Sequence, residues 1–377
     1  MKKISRLTLI LCSLFTLTGC IFKPENGGDN KQEEEQPYVS PIDFPLDFRV
    51  DAKDANRGFK IVQISDPQVA PQMKPLTTDA INTEFQQKVY KYIDPVISEV
   101  DPDLIFIAGD IVYGRYDNAN QIVLKTLLDH INNYGIPWAP VFGNHDNETP
   151  AGIDAQCNLI SSYSNVLFKR NSELTGNSNY SIGCFVNDKL VRSFYCLDSK
   201  GCAQVGGDKS NVMGYSIDKV QIDYVVEKQQ QCELFAGKSV PGFIGQHVMY
   251  SVYVSTMAFR YNIMVNDSNN FNGKQFPAFE IGPNNYGDSG IVNEAQSMTI
   301  DKNGDAYFAY LDCHIDGIFT GHCHQINTIV TTDEGVVLAY GLKSSTYDFY
   351  QPTMLGATEI SINSDSSFEV KHHFVHY

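Results

Sequence analysis

Strand-like apolar runs that alternate with helical patterns do most to constrain the fold of this chain of 377 residues. The run at 59–65 is rich in β-branched residues, and apolar residues then recur at four-residue spacing from Ile81 to Ile93. Two further runs, 104–108 and 138–142, are separated by a second helical pattern. Parallel strands need a long crossover, usually a helix. Three such units in series therefore predict parallel strands in one sheet of an α/β fold.

The second half of the chain has a different pattern. Residues 266–305 are rich in Asn, Gly and Asp, which predicts an extended loop region that covers the site. The last three apolar runs, 336–340, 357–362 and 368–374, predict a strand-rich second sheet. Before the loop region we expect strands at 180–186, 190–197 and 243–246 and a helix at 217–231, and after it a strand at 315–320.

Polar clusters follow the apolar runs at the points where the strands end. In α/β folds the ligand-binding residues lie at the carboxyl ends of strands. Carboxylates and imidazoles are suitable ligands for hard divalent or trivalent cations, and two ions can share one carboxylate. The sequence therefore predicts a two-metal hydrolytic site with Asp110 as the bridge. The clusters are Asp66-Pro67-Gln68, Gly109-Asp110 with Tyr113, Gly143-Asn144-His145-Asp146, His247, and Gly321-His322-Cys323-His324.

These clusters resemble the pattern of the calcineurin-like metallophosphoesterase superfamily: DxH, GD, GNH followed by D or E, a single His, and GHxH. The resemblance covers about residues 59–375 and implies a four-layer αββα sandwich with two mixed β-sheets. It also implies that His145, held by Asp146, approaches the leaving group as a general acid. By the same resemblance the first metal is held by Asp66, Asp110 and His324, and the second by Asp110, Asn144, His247 and His322.

The chain departs from this pattern at Gln68, where a histidine is expected. Purple acid phosphatases also lack that histidine and use the tyrosine of a GDxxY motif, which here is Tyr113. Our hypothesis is that Tyr113 replaces the histidine, since a phenolate is a hard donor suited to trivalent iron. The alternative is that Tyr113 packs in the core while water or Gln68 completes the shell. The cofactors expected are two divalent or mixed-valence ions of Fe, Mn or Zn.

Two local features bear on these assignments. Residues 138–148, together with 338–341 and Gly356-Ala357, resemble the purple acid phosphatase-like branch of single-domain phosphatases. His247 is followed by Val248-Met249 instead of the His-x-Pro often present there, so a packed core histidine is the alternative to a ligand.

The N-terminus resembles a bacterial lipoprotein signal. Lys2, Lys3 and Arg6 precede an apolar stretch at 7–18 that is too short to span a bilayer, and small residues precede Cys20. We expect residues 1–19 to be a signal peptide, 20–43 a lipidated cysteine and flexible tether, and 44–377 the catalytic domain. The protein would then be lipid-anchored in the cell envelope, outside the cytoplasm.

The formal charge of −16 disfavours long nucleic acid and anionic membrane surfaces as partners. A small phosphoester substrate fits better, and we expect no obligate protein partner. The function expected is phosphomonoester hydrolysis by attack of a metal-bound hydroxide. The alternatives are a phosphodiesterase acting on nucleotides or lipid head groups, and a non-catalytic surface-binding lipoprotein. Among the nine cysteines, Cys196 and Cys202 form the most plausible local disulfide.

Overall fold

Strands and helices alternate along most of the chain. The computed structural model describes residues 43–72, 76–201, 217–262, 279–282, 286–294 and 305–377. In these ranges the strands are β1 (Phe48–Asp51), β2 (Phe59–Ile64), β3 (Leu104–Ala108), β4 (Trp138–Val141), β5 (Tyr180–Val186), β6 (Lys189–Cys196), β7 (Gly242–Gly245), β8 (Phe279–Ile281), β9 (Gly290–Val292), β10 (Ile315–Thr320), β11 (Ile329–Thr331), β12 (Val337–Tyr340), β13 (Gly356–Ile362) and β14 (Phe368–Phe374). The α-helices are α1 (Thr78–Phe85), α2 (Lys91–Val100), α3 (Ile122–Asn132), α4 (Ile153–Ser161), α5 (Lys219–Ala236), α6 (Ser251–Tyr261) and α7 (Asp305–Asp312).

The first predicted helix is confirmed as a continuous stretch from α1 to α2, joined by one π turn at Gln86–Tyr90. The hydroxyl oxygen of Thr77 accepts a hydrogen bond from the backbone of Ala80 and so satisfies one amide at the helix start. The four residues that carried the periodic pattern, Ile81, Phe85, Val89 and Ile93, are all fully buried. The four-residue spacing therefore marked the face that packs on the sheet.

The five-stranded sheet has the order β14-β13-β2-β3-β4. Strands β2, β3 and β4 are parallel neighbours, as the three strand–helix units predicted. The prediction that the chain's last strands belong to a second sheet is wrong for β13 and β14. Strand β13 pairs antiparallel with β2, with Ile360 opposite Ile61, and β14 pairs with β13. An apolar strand pattern indicates burial but does not specify which sheet edge the strand joins.

The seven-stranded sheet has the order β1-β5-β6-β7-β10-β12-β11. Its central strands β6, β7, β10 and β12 run parallel to one another. The carboxyl ends of β7 and β10 therefore lie at the same edge of this sheet.

The two sheets face each other, and helices cover their outer sides. Phe106 of β3 meets Phe194 of β6 edge to face at 5.0 Å between ring centroids. Helix α2 packs on β2 and β13, whereas α5 and α7 pack on β6 and β10. Burying one such aromatic side chain contributes roughly 1.5–3 kcal/mol. The predicted α/β fold with two mixed sheets is confirmed.

Several predictions fall where the structure describes little. The predicted loop at 266–305 contains two short antiparallel strands, β8 and β9, and most of the rest lies outside the described residues. The signal peptide and tether, which end at residue 43, lie almost wholly outside them as well. Cys196 is a free, buried thiol, and its expected partner Cys202 is not among the described residues. Within the described ranges, the helices are all too short or too polar to cross a bilayer.

Candidate metal centre

The predicted metal ligands converge where strands of both sheets end. Two groups of side chains have potential ligand atoms within 4.8 Å of one another, and the groups share Asp110. Each group combines a carboxylate carried by the five-stranded sheet with an imidazole carried by the seven-stranded sheet. The first group is Asp66, Asp110 and His324, and the second is Asp110, His247 and His322.

The second group is arranged for a cation, with Asn144 as an additional oxygen donor. Nδ1 of His247 lies 2.7 Å from the carbonyl oxygen of Ala108 and therefore carries the proton that it donates. In the neutral ring Nε2 then presents a lone pair. It lies 3.1 Å from Asn144 Oδ1, 3.2 Å from His322 Nδ1 and 3.4 Å from Asp110 Oδ1. Nitrogen and oxygen atoms that converge on one point in this way fit a bound metal ion.

The first group places His324 against Asp66. Nδ1 of His324 donates to the carbonyl oxygen of Phe349 at 2.9 Å, which turns Nε2 towards Asp66 Oδ1 at 3.6 Å. The Asp66 carboxylate also accepts the backbone N–H of His322, at 2.9 and 3.1 Å from its two oxygens. This contact ties the ends of β2 and β10 together. The side chains of Asp66 and His324 are both buried.

Tight backbone geometry explains the glycines in the sequence clusters. Asp66, Asp110 and His322 adopt positive φ angles of 49°, 46° and 73°, a conformation that costs energy for non-glycine residues and is common at functional sites. A Cβ on Gly143 would lie 2.2 Å from Asp110 Oδ1, and one on Gly321 would lie 2.5 Å from Asp66 Oδ2. Larger residues at these two positions would displace the carboxylates.

The electrostatics of the second group suit metal binding. Burial and the neighbouring His247 lower the pKa of His322 to about 3, so its imidazole is neutral at pH 7. Burial would also lower the pKa of His247, but the charge of Asp110 outweighs it and raises that pKa to about 9. Burial would raise the pKa of Asp110, yet His247 holds it below its usual range. The His247–Asp110 pair thus carries a proton that an ion would displace.

His145 lies beside the bridge. Its backbone N–H donates to Asp110 Oδ1 at 2.9 Å, and its ring Nδ1 lies 3.0 Å from Glu148 Oε1. Burial would lower the pKa of His145, but the hydrogen bond with Glu148 and the charge of Asp110 raise it. A raised pKa keeps the ring protonated over a wider pH range, which suits a proton donor.

The prediction that Asp146 holds His145 is wrong. The Asp146 carboxylate is fully buried and accepts the backbone N–H groups of Ile111, Val112 and Gly143 at 3.0, 3.1 and 2.7 Å. Asp146 therefore fixes the loops that carry the candidate metal ligands Asp110 and Asn144. Glu148, which the sequence analysis missed, binds the imidazole. The signal was available, because residues three apart face each other on a single helical turn, and Asp146–Glu148 forms a 3₁₀ turn.

Tyr113 is grouped with His145. Its ring stacks on the imidazole at 4.1 Å between centroids, and the Arg115 guanidinium lies 4.2 Å from its centroid on the solvent side. The Arg115 guanidinium also donates a hydrogen bond to the Tyr113 hydroxyl. Burial raises the pKa of Tyr113, which opposes formation of a phenolate before metal binds. The ligand role of Tyr113 stays a prediction.

Gln68 is held by a buried lysine that the sequence analysis missed. Nζ of Lys343 donates to Gln68 Oε1 at 3.3 Å and to the Asp66 carbonyl oxygen at 3.1 Å. The Gln68 amide nitrogen then donates to Asp110 Oδ2 at 3.2 Å. Lysine has only donors, so this orientation of the amide follows from chemistry. Lys343 follows the end of β12, a parallel strand, which was the available sequence signal.

The sequence of this chain is similar to those of a known protein family and of several plant proteins. The sequence profile of the calcineurin-like phosphoesterase family matches residues 59–225, which carry Asp66, Asp110 and Asn144. "Probable inactive purple acid phosphatase 28" of Arabidopsis thaliana is 31% identical over 150 residues, 38% of this chain and 35% of that protein. "Probable inactive purple acid phosphatase 14" of the same plant is 27% identical over 213 residues, 49% of this chain and 48% of that protein. The chain thus spans about a third to a half of the length of these relatives.

Among solved structures, GAP50, the anchor in the inner membrane complex of Plasmodium, matches with a TM-score of 0.45 and 13% identity over 84% of each chain. A hypothetical protein from Thermus thermophilus matches with a TM-score of 0.39 and 12% identity over 84% of this chain and 99% of that one. The profile match and the plant relatives support the calcineurin-like metallophosphoesterase superfamily for this chain.

Proposed function

We propose that this chain is a metal-dependent phosphoesterase that hydrolyses phosphomonoesters. The observation that carries the proposal is the pair of ligand groups that share Asp110. Carboxylate, amide and imidazole donors at one strand edge are the ligands that Fe, Mn or Zn ions use in hydrolytic sites. The plant relatives are named as purple acid phosphatases, although as probable inactive ones, and the phosphatase part of the name supports the monoester preference.

The donor set fits bound metal. Asp110, Asn144, His247 and His322 would hold one ion, and Asp66, Asp110 and His324 are the candidate ligands of another. When bound, the ions activate water and neutralise the charge of the phosphate. The remaining roles belong to residues of this chain.

His145 would supply the proton that the departing alkoxide needs. Glu148 holds Nδ1 of the ring, so Nε2 is left to face the substrate. General-acid catalysis of this kind typically contributes about 10²- to 10⁴-fold to the rate. Arg115, whose side chain is 57% exposed, is placed by Tyr113 and Glu148 at the same side of the site and would bind a phosphate oxygen.

The location of the protein is also a proposal. The sequence of residues 1–20 supports a signal peptide followed by a lipid on Cys20, which would hold the enzyme at the extracytoplasmic face of a membrane. Labelling cells with a fatty-acid analogue tests this assignment. Label on the parent chain that is absent from Cys20→Ser supports the anchor, and label on both chains contradicts it.

A non-catalytic binding protein is the second candidate. Two observations favour it: the word "inactive" in the names of the relatives, and the capture of the Gln68 oxygen by Lys343. A phosphodiesterase is the third reading, because the same ligand groups serve both ester classes.

The purified chain, assayed with an aryl phosphomonoester and an aryl phosphodiester, separates these readings. We expect turnover of the monoester that a chelator abolishes and that added metal restores. His322→Ala should lose both turnover and bound metal, whereas His145→Ala should slow turnover and keep the metal. His314→Ala is the matched control, since His314 lies on the surface against Glu233. Preference for the diester would support the phosphodiesterase, and no chelator-sensitive turnover on either ester would support the binding protein.

A further inference from the structure

The two metal positions differ in what surrounds them. The second position has four candidate donors, Asp110, Asn144, His247 and His322, and they approach one another around His247 Nε2. The first position has three in this arrangement, Asp66, Asp110 and His324. Position 68 holds a glutamine, and the Tyr113 ring stacks on His145 with its hydroxyl hydrogen-bonded to Arg115.

The side chain at position 68 is also turned away from a ligand role. Its oxygen accepts the Lys343 ammonium, and its amide N–H group points at the bridging carboxylate. An N–H group directed at Asp110 Oδ2 occupies a lone pair that an ion at the first position would use. Gln68 therefore competes with an ion for Asp110.

Lys343 brings a positive charge next to the first position. The side chain is 2% exposed, and its ammonium contacts the backbone oxygen of Asp66 and the Gln68 side chain. Burial lowers the pKa of Lys343, and the carboxylates of Asp66, Asp348 and Asp110 oppose this by attracting the ammonium. Buried carboxylates need a counter-charge. A lysine that already supplies this charge reduces the electrostatic free energy that a metal ion would gain by binding there. The same lysine repels an incoming cation.

From this geometry we propose that Lys343 and Gln68 close the first metal position, so that the chain binds one metal ion tightly and a second ion only weakly. The tight ion lies among Asp110, Asn144, His247 and His322. The inference rests on the metal site of the proposed function, and its test reads metal binding instead of turnover.

The test is a titration of the chelator-treated chain with Mn²⁺ or Zn²⁺, followed by calorimetry and by elemental analysis of the dialysed protein. We expect one retained ion per chain and a second binding event about 10- to 100-fold weaker, the usual effect of residues that support a metal ligand. Two ions of equal affinity would overturn the inference and leave the proposed function intact. No ion uptake at all would overturn both.

Substitutions test whether Lys343 and Gln68 weaken the second binding event. Lys343→Met should strengthen the weak event by about tenfold or more, whereas Lys371→Met, on the exposed face of β14, should leave both events unchanged. An unchanged weak event in a folded Lys343→Met protein would contradict the role of the lysine. Gln68→Leu removes the amide N–H group that competes for Asp110 and should strengthen the weak event. Weaker binding in that variant would show that Gln68 is a ligand and would overturn the inference even if Lys343→Met fails to fold.

Discussion

Glu148 raises the proton affinity of His145, because its carboxylate is hydrogen-bonded to the ring and favours the protonated form. The two side chains approach to 3.0 Å and are 14% and 23% exposed. At about 4 Å between charges and an effective dielectric constant near 20, the Coulomb energy is about 4 kcal/mol. Partial exposure screens this, and an amide at position 148 would still accept a hydrogen bond. We therefore expect Glu148→Gln to lower the pKa of His145 by about one unit, or about 1.4 kcal/mol.

The sign of the effect on activity follows from the role of the proton. A general acid works only while protonated, so turnover falls as pH rises through the pKa of His145. Because Glu148 raises that pKa, its loss should move the alkaline limb of the kcat profile down by about one pH unit. Turnover below the limb should be unchanged.

The assay compares an alkyl and an aryl phosphomonoester across the alkaline range. The shift should be larger for the alkyl ester, because an alkoxide needs the proton more than an aryl oxide does. Glu173→Gln, at an exposed position, is the control. An alkaline limb that stays in place or moves upward in Glu148→Gln would refute the reasoning.

Three further predictions concern stability. Asp146→Ala leaves three buried amides without their acceptor, each worth about 1–3 kcal/mol, so denaturant unfolding should show a loss of at least about 3 kcal/mol; a loss under 1 kcal/mol would contradict this. Gly143→Ala places a methyl group 2.2 Å from Asp110 Oδ1 and should cost about 1–3 kcal/mol and weaken metal binding, whereas Gly282→Ala, with nothing within 4 Å, should do neither. Burial would raise the pKa of Glu359, but hydrogen bonds from a serine, a lysine and a histidine lower it to about 2. The ionised carboxylate therefore stabilises the fold fully above its ordinary pKa of 4.5, and this stabilisation is lost as pH falls towards 2. The stability gap between the parent and Glu359→Gln should close over that range, and a constant gap in acid unfolding would contradict the assignment.

The strand ends were predictable because each carries local information. A β-branched run followed by Gly-Asp or Gly-Asn-His specifies a strand and the polar residues at its carboxyl end. The structure brings Asp66 and Asp110 together at that edge, and Asn144 joins them through its contact with His247. The positions of His247 and His322 followed from the same rule applied to the seven-stranded sheet.

The sequence-based predictions that were wrong or incomplete concern contacts that depend on three-dimensional packing. Asp146 was paired with His145 because they are adjacent in sequence, but its carboxylate satisfies three backbone amides instead. Lys343 lies 275 positions from Gln68, so nothing local indicates that the two side chains meet. The sheet joined by β13 was likewise set by tertiary pairing with β2.

The contribution of both sheets to each ligand group has a mechanical consequence. An ion coordinated there would cross-link the two sheets, since Asp110 follows a strand of the five-stranded sheet. The imidazoles of His247, His322 and His324 follow strands of the seven-stranded sheet. Ligands that bind only the folded state stabilise it by mass action. The rigidity of this edge would then depend on the concentration of metal around the protein, and a chain deprived of metal would loosen first at the proposed catalytic site.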